Sequence, residues 1–130
     1  MIAFYYASSC RSSKLARKWL IKHHLEFEEI NIRTNGIKRE ILLKMLSMSD
    51  LGIEDIISLR SKCFREEKID FNDITLNDLL EKIESNPELL KHPLILSDQH
   101  FQSGYNEENM RAFLSRTYRT IERRIPDLSV

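Results

Sequence analysis

Cys10 is the strongest nucleophile candidate in the chain, and the residues around it are of the kinds that activate a thiol. It follows Ser8-Ser9 and precedes Arg11-Ser12-Ser13-Lys14, where a segment with helical spacing begins. Ser9 is expected to cap that helix, because its hydroxyl accepts from backbone N–H groups that have no intrahelical partner. Cys10 then falls in the first turn, where the helix dipole and the free N–H groups favour a thiolate over a thiol. Arg11 places a fixed positive charge next door. Ser13, one turn later, is positioned to donate to the sulfur. The polar flanks argue against the alternative of a buried, inert cysteine. A nearby resolving thiol is missing, because the fourth position of a Cys-x-x-Cys pattern is Ser13.

The other reactive side chains form no comparable group. Cys63, between Lys62 and Phe64, reads as a small core or semi-exposed residue rather than a resolving thiol. His23, His24, His92 and His100 have no metal-ligand spacing with the cysteines. No phosphate-binding glycine loop, Ser-His-Asp set or zinc motif is present, and no metal or cofactor is expected. Lys91-His92-Pro93 carries two readings. Pro93 is either a cis-proline facing the cysteine or an ordinary residue at the start of a strand.

Met1–Ala7 is apolar, aromatic and short enough for a strand buried on both faces. Residues 10–24 follow as a helix, with Leu15, Ala16, Trp19 and Leu20 at helical spacing. Glu26–Ile32 alternates and reads as a second strand, giving a βαβ unit with parallel strands. Asn35-Gly36 marks a turn. Lys38–Met48 is a helix burying Ile41, Leu42, Met45 and Leu46, and Gly52 beyond it suits a left-handed conformation. Arg60–Glu66 reads as a short helix. Thr75 caps a helix that buries Leu76, Leu79, Leu80 and Ile83. Asn86-Pro87 opens another short helix. Pro93–Ser97 and Phe101–Gly104 form an antiparallel hairpin. Asn106 caps a last helix with Met110, Phe113 and Leu114 facing inward.

This order predicts an α/β protein: a thioredoxin/glutaredoxin-like mixed four-stranded sheet with a helical insert. The expected organisation is a single domain over 1–130, with a core of about 1–35 and 92–115 and an insert of about 36–91. The tail 116–130 is expected to be disordered, since residues 115–130 hold four arginines, one proline and few core residues.

The chain has 130 residues, 20 basic and 20 acidic side chains and net charge zero, which argues against direct nucleic-acid binding. The charge is uneven, however: residues 11–40 hold eight basic and four acidic side chains, and residues 50–86 hold five and ten. Such asymmetry reads either as solvated faces or as a surface for a charged protein partner. Two distant cysteines are no disulfide framework. With no membrane-length apolar run and no signal-peptide pattern, a cytoplasmic protein is expected.

Four blocks resemble a known family in order and spacing. They are Tyr5 with Ser9-Cys10; Leu51-Gly52, Glu54-Asp55-Ile56-Ile57-Ser58 and Arg60-Ser61-Lys62; Leu89-Leu90 with Pro93-Leu94-Ile95; and Gln102, Gly104-Tyr105-Asn106-Glu107-Glu108, Arg111 and Phe113-Leu114. The chain resembles Spx, the redox-responsive transcriptional regulators of the arsenate-reductase-like (ArsC) thioredoxin superfamily. The resemblance implies a non-enzymatic role in thiol and oxidative stress: binding the C-terminal domain of the RNA polymerase α subunit. Gly52 matches a glycine needed for that contact, and Arg60 is shared with the family. DNA would be reached only through the polymerase, and a proteolytic adaptor stays open as a further partner. The family's Cys-x-x-Cys disulfide switch would be absent, leaving Cys10 with Ser13. The rival is a glutaredoxin-coupled arsenate reductase, with Cys10 as nucleophile and Arg60 in support. Such enzymes surround the sulfur with arginines, and Lys91–Tyr105 contains none.

Overall fold

A computed structural model describes residues 1–114. Its centre is a four-stranded sheet in the order β2-β1-β3-β4. Strand β1 (Ile2–Tyr6) pairs in parallel with β2 (Phe27–Asn31), with Ile2 opposite Phe27 and Tyr6 opposite Asn31. Helix α1 (Arg11–Lys22) connects them. On its other side β1 pairs antiparallel with β3 (Leu94–Leu96), Phe4 lying opposite Ile95. β3 then turns into β4 (Phe101–Ser103) as an antiparallel hairpin. The mixed sheet and the hairpin are those the sequence predicts.

Side chains of a strand alternate between faces, so β1 and β3 each feed two cores. Ile2, Phe4 and Ile95 pack with Ala16, Trp19 and Leu20 of α1 and with Met110 and Leu114. Tyr5, Leu94 and Leu96 pack on the opposite side with Leu42, Met45, Ile56, Leu79, Leu80 and Ile83. That second layer holds α3 (Arg39–Met48), α4 (Lys62–Glu67) and α5 (Leu76–Ser85), preceded by the single turn α2 (Ile32–Asn35). Short 3₁₀ turns span Gly52–Asp55 and Pro87–Leu89. Helix α6 (Glu107–Met110) closes the first face and runs into a 3₁₀ turn at Arg111–Phe113.

Most departures from the sequence reading arise at caps. β2 stops at Asn31 because the Asn31 side chain accepts from the amides of Arg33 and Thr34 at 2.9 and 3.3 Å, so Ile32 begins a helical turn. The helix expected from Arg60 starts at Lys62, since the Ser61 hydroxyl accepts from the Phe64 amide at 3.1 Å and caps it. Arg60 therefore lies in the turn before the helix. Leu76 is 52% exposed, not buried, because the first residue behind the Thr75 cap faces solvent. Leu15 is 38% exposed, for the core takes Ala16, Trp19 and Leu20 instead. The tail expected to be disordered lies outside the described residues.

Leu42 has no exposed surface at the centre of the larger core. Leu42→Ala should lower unfolding free energy by about 2–5 kcal/mol. Urea titration should show a lower midpoint with an unchanged slope.

Candidate functional site

β1 and β2 are parallel, so both deliver their following loops to one edge of the sheet. The loop after β1 turns at Ser9, whose φ of 64° is left-handed, and the Cys10 amide donates to the Ala7 carbonyl at 3.4 Å. This geometry corrects the expected cap. Cys10 itself is the cap of α1, with extended backbone, and its Sγ accepts from the Ser13 amide at 3.5 Å. Left-handed Ser9 cannot serve as cap, because the chain enters the helix only after Cys10.

The Ser13 side chain also differs from expectation. Its hydroxyl is turned away from the sulfur and accepts from the Ala7 amide at 3.3 Å. Ser13 is buried, so this hydrogen bond ties the end of β1 to the first turn of α1. The contact expected from the Ser13 side chain is made by its backbone instead.

Across the loop stands His92. Its Nδ1 lies 3.0 Å from Cys10 Sγ, and its carbonyl oxygen lies 3.8 Å from the same sulfur. The His92–Pro93 peptide bond is cis, which decides between the two readings of Pro93. Burial holds the His92 imidazole below its ordinary pKa; the nearby Arg33 charge adds to this, while Glu88 and a backbone hydrogen bond act against it. The neutral ring is thereby favoured beside the sulfur. A neutral imidazole next to a thiol can exchange a proton with it, so the pair is suited to thiol chemistry.

Arg33 is the residue that sequence reasoning missed. Its Nη1 donates to the Ser8 carbonyl at 2.9 Å, and its Nε pairs with Glu88 at 2.7 Å. Asn31 adds a hydrogen bond from Nδ2 to the Ser8 hydroxyl at 3.3 Å. Together they clamp the loop before Cys10 to the segment that leads to His92. The available signal was position: Arg33 lies in the helical turn that follows a strand parallel to β1.

Arg60 is exposed, and its carbonyl accepts from Arg65 at 3.0 Å. Among the described residues the sulfur's polar contacts come from His92 and the Ser13 amide, none from a guanidinium. Cys63 is free and partly buried against the larger core. No group of three or more His, Cys, Asp or Glu among the described residues could hold a metal ion. No described helix is long and apolar enough to cross a membrane.

Gly52 lies in a second feature, distinct from the sulfur. It has φ 70°, and a Cβ built there would meet nothing within 4 Å. Its neighbour Leu51 is 66% exposed, while the Leu51 amide donates to Asp55 at 3.0 Å and closes the loop. This loop is wired to the sulfur site through the backbone. Ser58 N–H donates to the Leu89 carbonyl at 2.8 Å, and Lys91 N–H donates to the Ile56 carbonyl at 2.7 Å, immediately before His92.

A model of the ArsC family matches residues 5–113 of the chain. The chain belongs to the ArsC family. Among its relatives in sequence are transcriptional regulators. It is 44% identical over 124 residues to the global transcriptional regulator Spx of Streptococcus pyogenes serotype M1, covering 95% of this chain and 92% of that one. It is 46% identical over 122 residues to the Spx of Streptococcus agalactiae serotype V, covering 94% and 89%. An arsenate reductase from Vibrio cholerae superposes with a TM-score of 0.75 at 14% identity, covering 87% of this chain and 97% of that one, a likeness of fold. The ArsC-family sheet thus presents its cysteine here against a histidine and a backbone amide.

Two outcomes follow from this geometry. Ser13→Ala leaves the Ala7 amide without its partner and should cost about 1–3 kcal/mol in urea unfolding. The folded chain binds a proton at His92 less readily than the unfolded chain does. Stability should therefore be full above about pH 6.5, the ordinary histidine value, and fall as pH drops below it. His92→Gln should flatten that acid-side slope in unfolding midpoints measured from pH 8 to pH 5.

Proposed function

We propose that this chain is an Spx-type transcriptional regulator that binds the C-terminal domain of the RNA polymerase α subunit and acts in thiol and oxidative stress. The similarity to Spx regulators over nearly the whole chain supports the class of function. The observation that carries the mode of binding is Gly52. Its positive φ and the open space beyond its Cα suit a partner's backbone lying directly on the loop, with exposed Leu51 alongside as an apolar anchor. Cys10 in this reading is a single-thiol sensor. With Ser13 at the fourth position, oxidation leads to a sulfenic acid or a mixed disulfide rather than an internal Cys-x-x-Cys bridge. The backbone hydrogen bonds that the Ile56 and Leu89 carbonyls accept from Lys91 and Ser58 give this reading a short mechanical route from that sulfur to the docking loop.

A second reading draws on the 3.0 Å contact between Cys10 and His92. A thiol beside a neutral imidazole suits nucleophilic attack, as an arsenate reductase or related thiol oxidoreductase requires. The sulfur's lack of a guanidinium contact among the described residues counts against oxyanion binding, and the regulator is the better-supported function.

Gly52→Arg should abolish capture of the α-subunit domain in a pull-down. Backbone strain at the left-handed position should cost only about 1–2 kcal/mol, leaving the fold intact by circular dichroism. Undiminished capture by a folded Gly52→Arg protein would refute the docking mode. For the second reading, arsenate-dependent oxidation of glutathione in the presence of glutaredoxin should be absent; turnover that disappears in Cys10→Ser would establish the reductase instead.

A further inference from the structure

The reacting atoms of the sulfur site lie beyond the strand pairing that brings them together. The last β1–β3 pair is Tyr5 with Leu94, and the last β1–β2 pair is Tyr6 with Asn31. Ser8, Cys10 and His92 all fall outside these ladders, so their relative position needs other ties. Arg33 supplies one that reaches both halves of the site. Its backbone is fixed by the turn that Asn31 caps and by buried Ile32 beside it. From there Nη1 donates to the Ser8 carbonyl at 2.9 Å, on the loop that leads to Cys10. Nε pairs with Glu88 at 2.7 Å, on the segment that leads to His92.

Stability does not account for this arrangement. The Arg33 and Glu88 side chains are 44% and 43% exposed, and ion pairs so placed contribute little to folding. What the pair holds matters more than its own energy. A planar guanidinium can bond a carbonyl and a carboxylate in two fixed directions at once, which an ammonium cannot. The two charges also act on the His92 ring in opposite senses. Burial is the largest influence and disfavours the protonated ring; Arg33 adds to it, while Glu88 opposes it.

Resting on the reading of Cys10 as a single-thiol sensor, we propose that the Arg33–Glu88 pair is the positioning latch of the Cys10–His92 couple, setting how fast the thiol reacts with disulfides and how that rate depends on pH. Arg33 and Glu88 are positioning residues, since they act through His92 and the Ser8 carbonyl. The step they serve begins with Nδ1 of the neutral ring, 3.0 Å from Sγ, taking the thiol proton. The thiolate then attacks one sulfur of a low-molecular-weight disulfide. A new S–S bond forms as the old one breaks, and the departing sulfur recovers the proton from the imidazolium. A latch that slipped would leave the ring off the sulfur and the proton without an acceptor.

The test uses the full chain carrying Cys63→Ser, which leaves Cys10 as the one thiol. Its reaction with dithiodipyridine is followed by absorbance between about pH 5 and pH 8. Arg33→Gln and Glu88→Gln should each lower the plateau rate about tenfold, short of the roughly 10²-fold that a 1 Å misplacement can cost. The acid limb belongs to the couple rather than to either group. Removing the Arg33 charge lets the couple keep its proton to higher pH, so that limb should move up; removing the Glu88 charge should move it down. Arg33→Lys should leave the limb in place and the plateau low, because charge is kept and the fork is lost. The double variant should be no slower than either single one, as expected of residues acting as a unit. Circular dichroism should show each variant folded, and Glu88→Gln carries the test if Arg33→Gln does not fold. An unchanged plateau, or limbs that stay put or move together, would overturn the proposal. A Cys10 that the probe fails to modify in the unmodified latch would remove the sensor reading and the latch with it; a reactive Cys10 indifferent to Arg33 and Glu88 would remove the latch alone.

Discussion

The Cys10 sulfur occupies the position where a helix usually receives a hydroxyl or carboxylate, and the geometry of the whole sheet edge depends on that substitution. The sulfur accepts from the Ser13 amide, while the Ser13 hydroxyl fastens the end of β1. From the other side, β3 pairs antiparallel with β1 and brings the His92 ring to the same atom. A thiol held by its own helix on one side and by a distant histidine on the other has little freedom to choose its orientation. Its reactivity is thus a property of the packed sheet rather than of a flexible loop.

The helical layer on the opposite face is more than a cover for the core. Ile56 and Ile57 are fully buried, and the segment they belong to bonds through its backbone to Leu89 and Lys91. The exposed loop at Gly52 is therefore anchored to the same segment that supplies His92. Arg33 works in parallel, joining Ser8 to Glu88. The sulfur loop and the Gly52 loop lie far apart in sequence, yet each is attached to residues 88–92 by short hydrogen bonds or ion pairs.

Much of this was legible in the residues. β1 declared itself because strands covered on both faces are continuous runs of apolar side chains, and Thr75 and Asn106 declared their helices because their side chains cap in the ordinary way. The cap at Cys10 was misread because Ser8, Ser9 and Cys10 all have suitable side chains, and only the left-handed turn at Ser9 excludes the nearer one. The histidine partner was hidden by an 82-residue separation, with Pro93 as the only local pointer. Arg33 was hidden for a related reason: its role is defined by the ends of two strands meeting, which no window along the chain displays. Leu76 shows the limit of periodicity, which finds a helix face correctly and still misjudges its first residue, where solvent begins.

The hydrogen bond from the Ala7 amide to the Ser13 hydroxyl sets a cost on any second sulfur in this turn. A cysteine placed at position 13 would exchange a good oxygen acceptor for a poor sulfur one at a buried amide. One side chain would then have to serve both as the tie between strand and helix and as a partner for Cys10, and the serine is built for the first task alone.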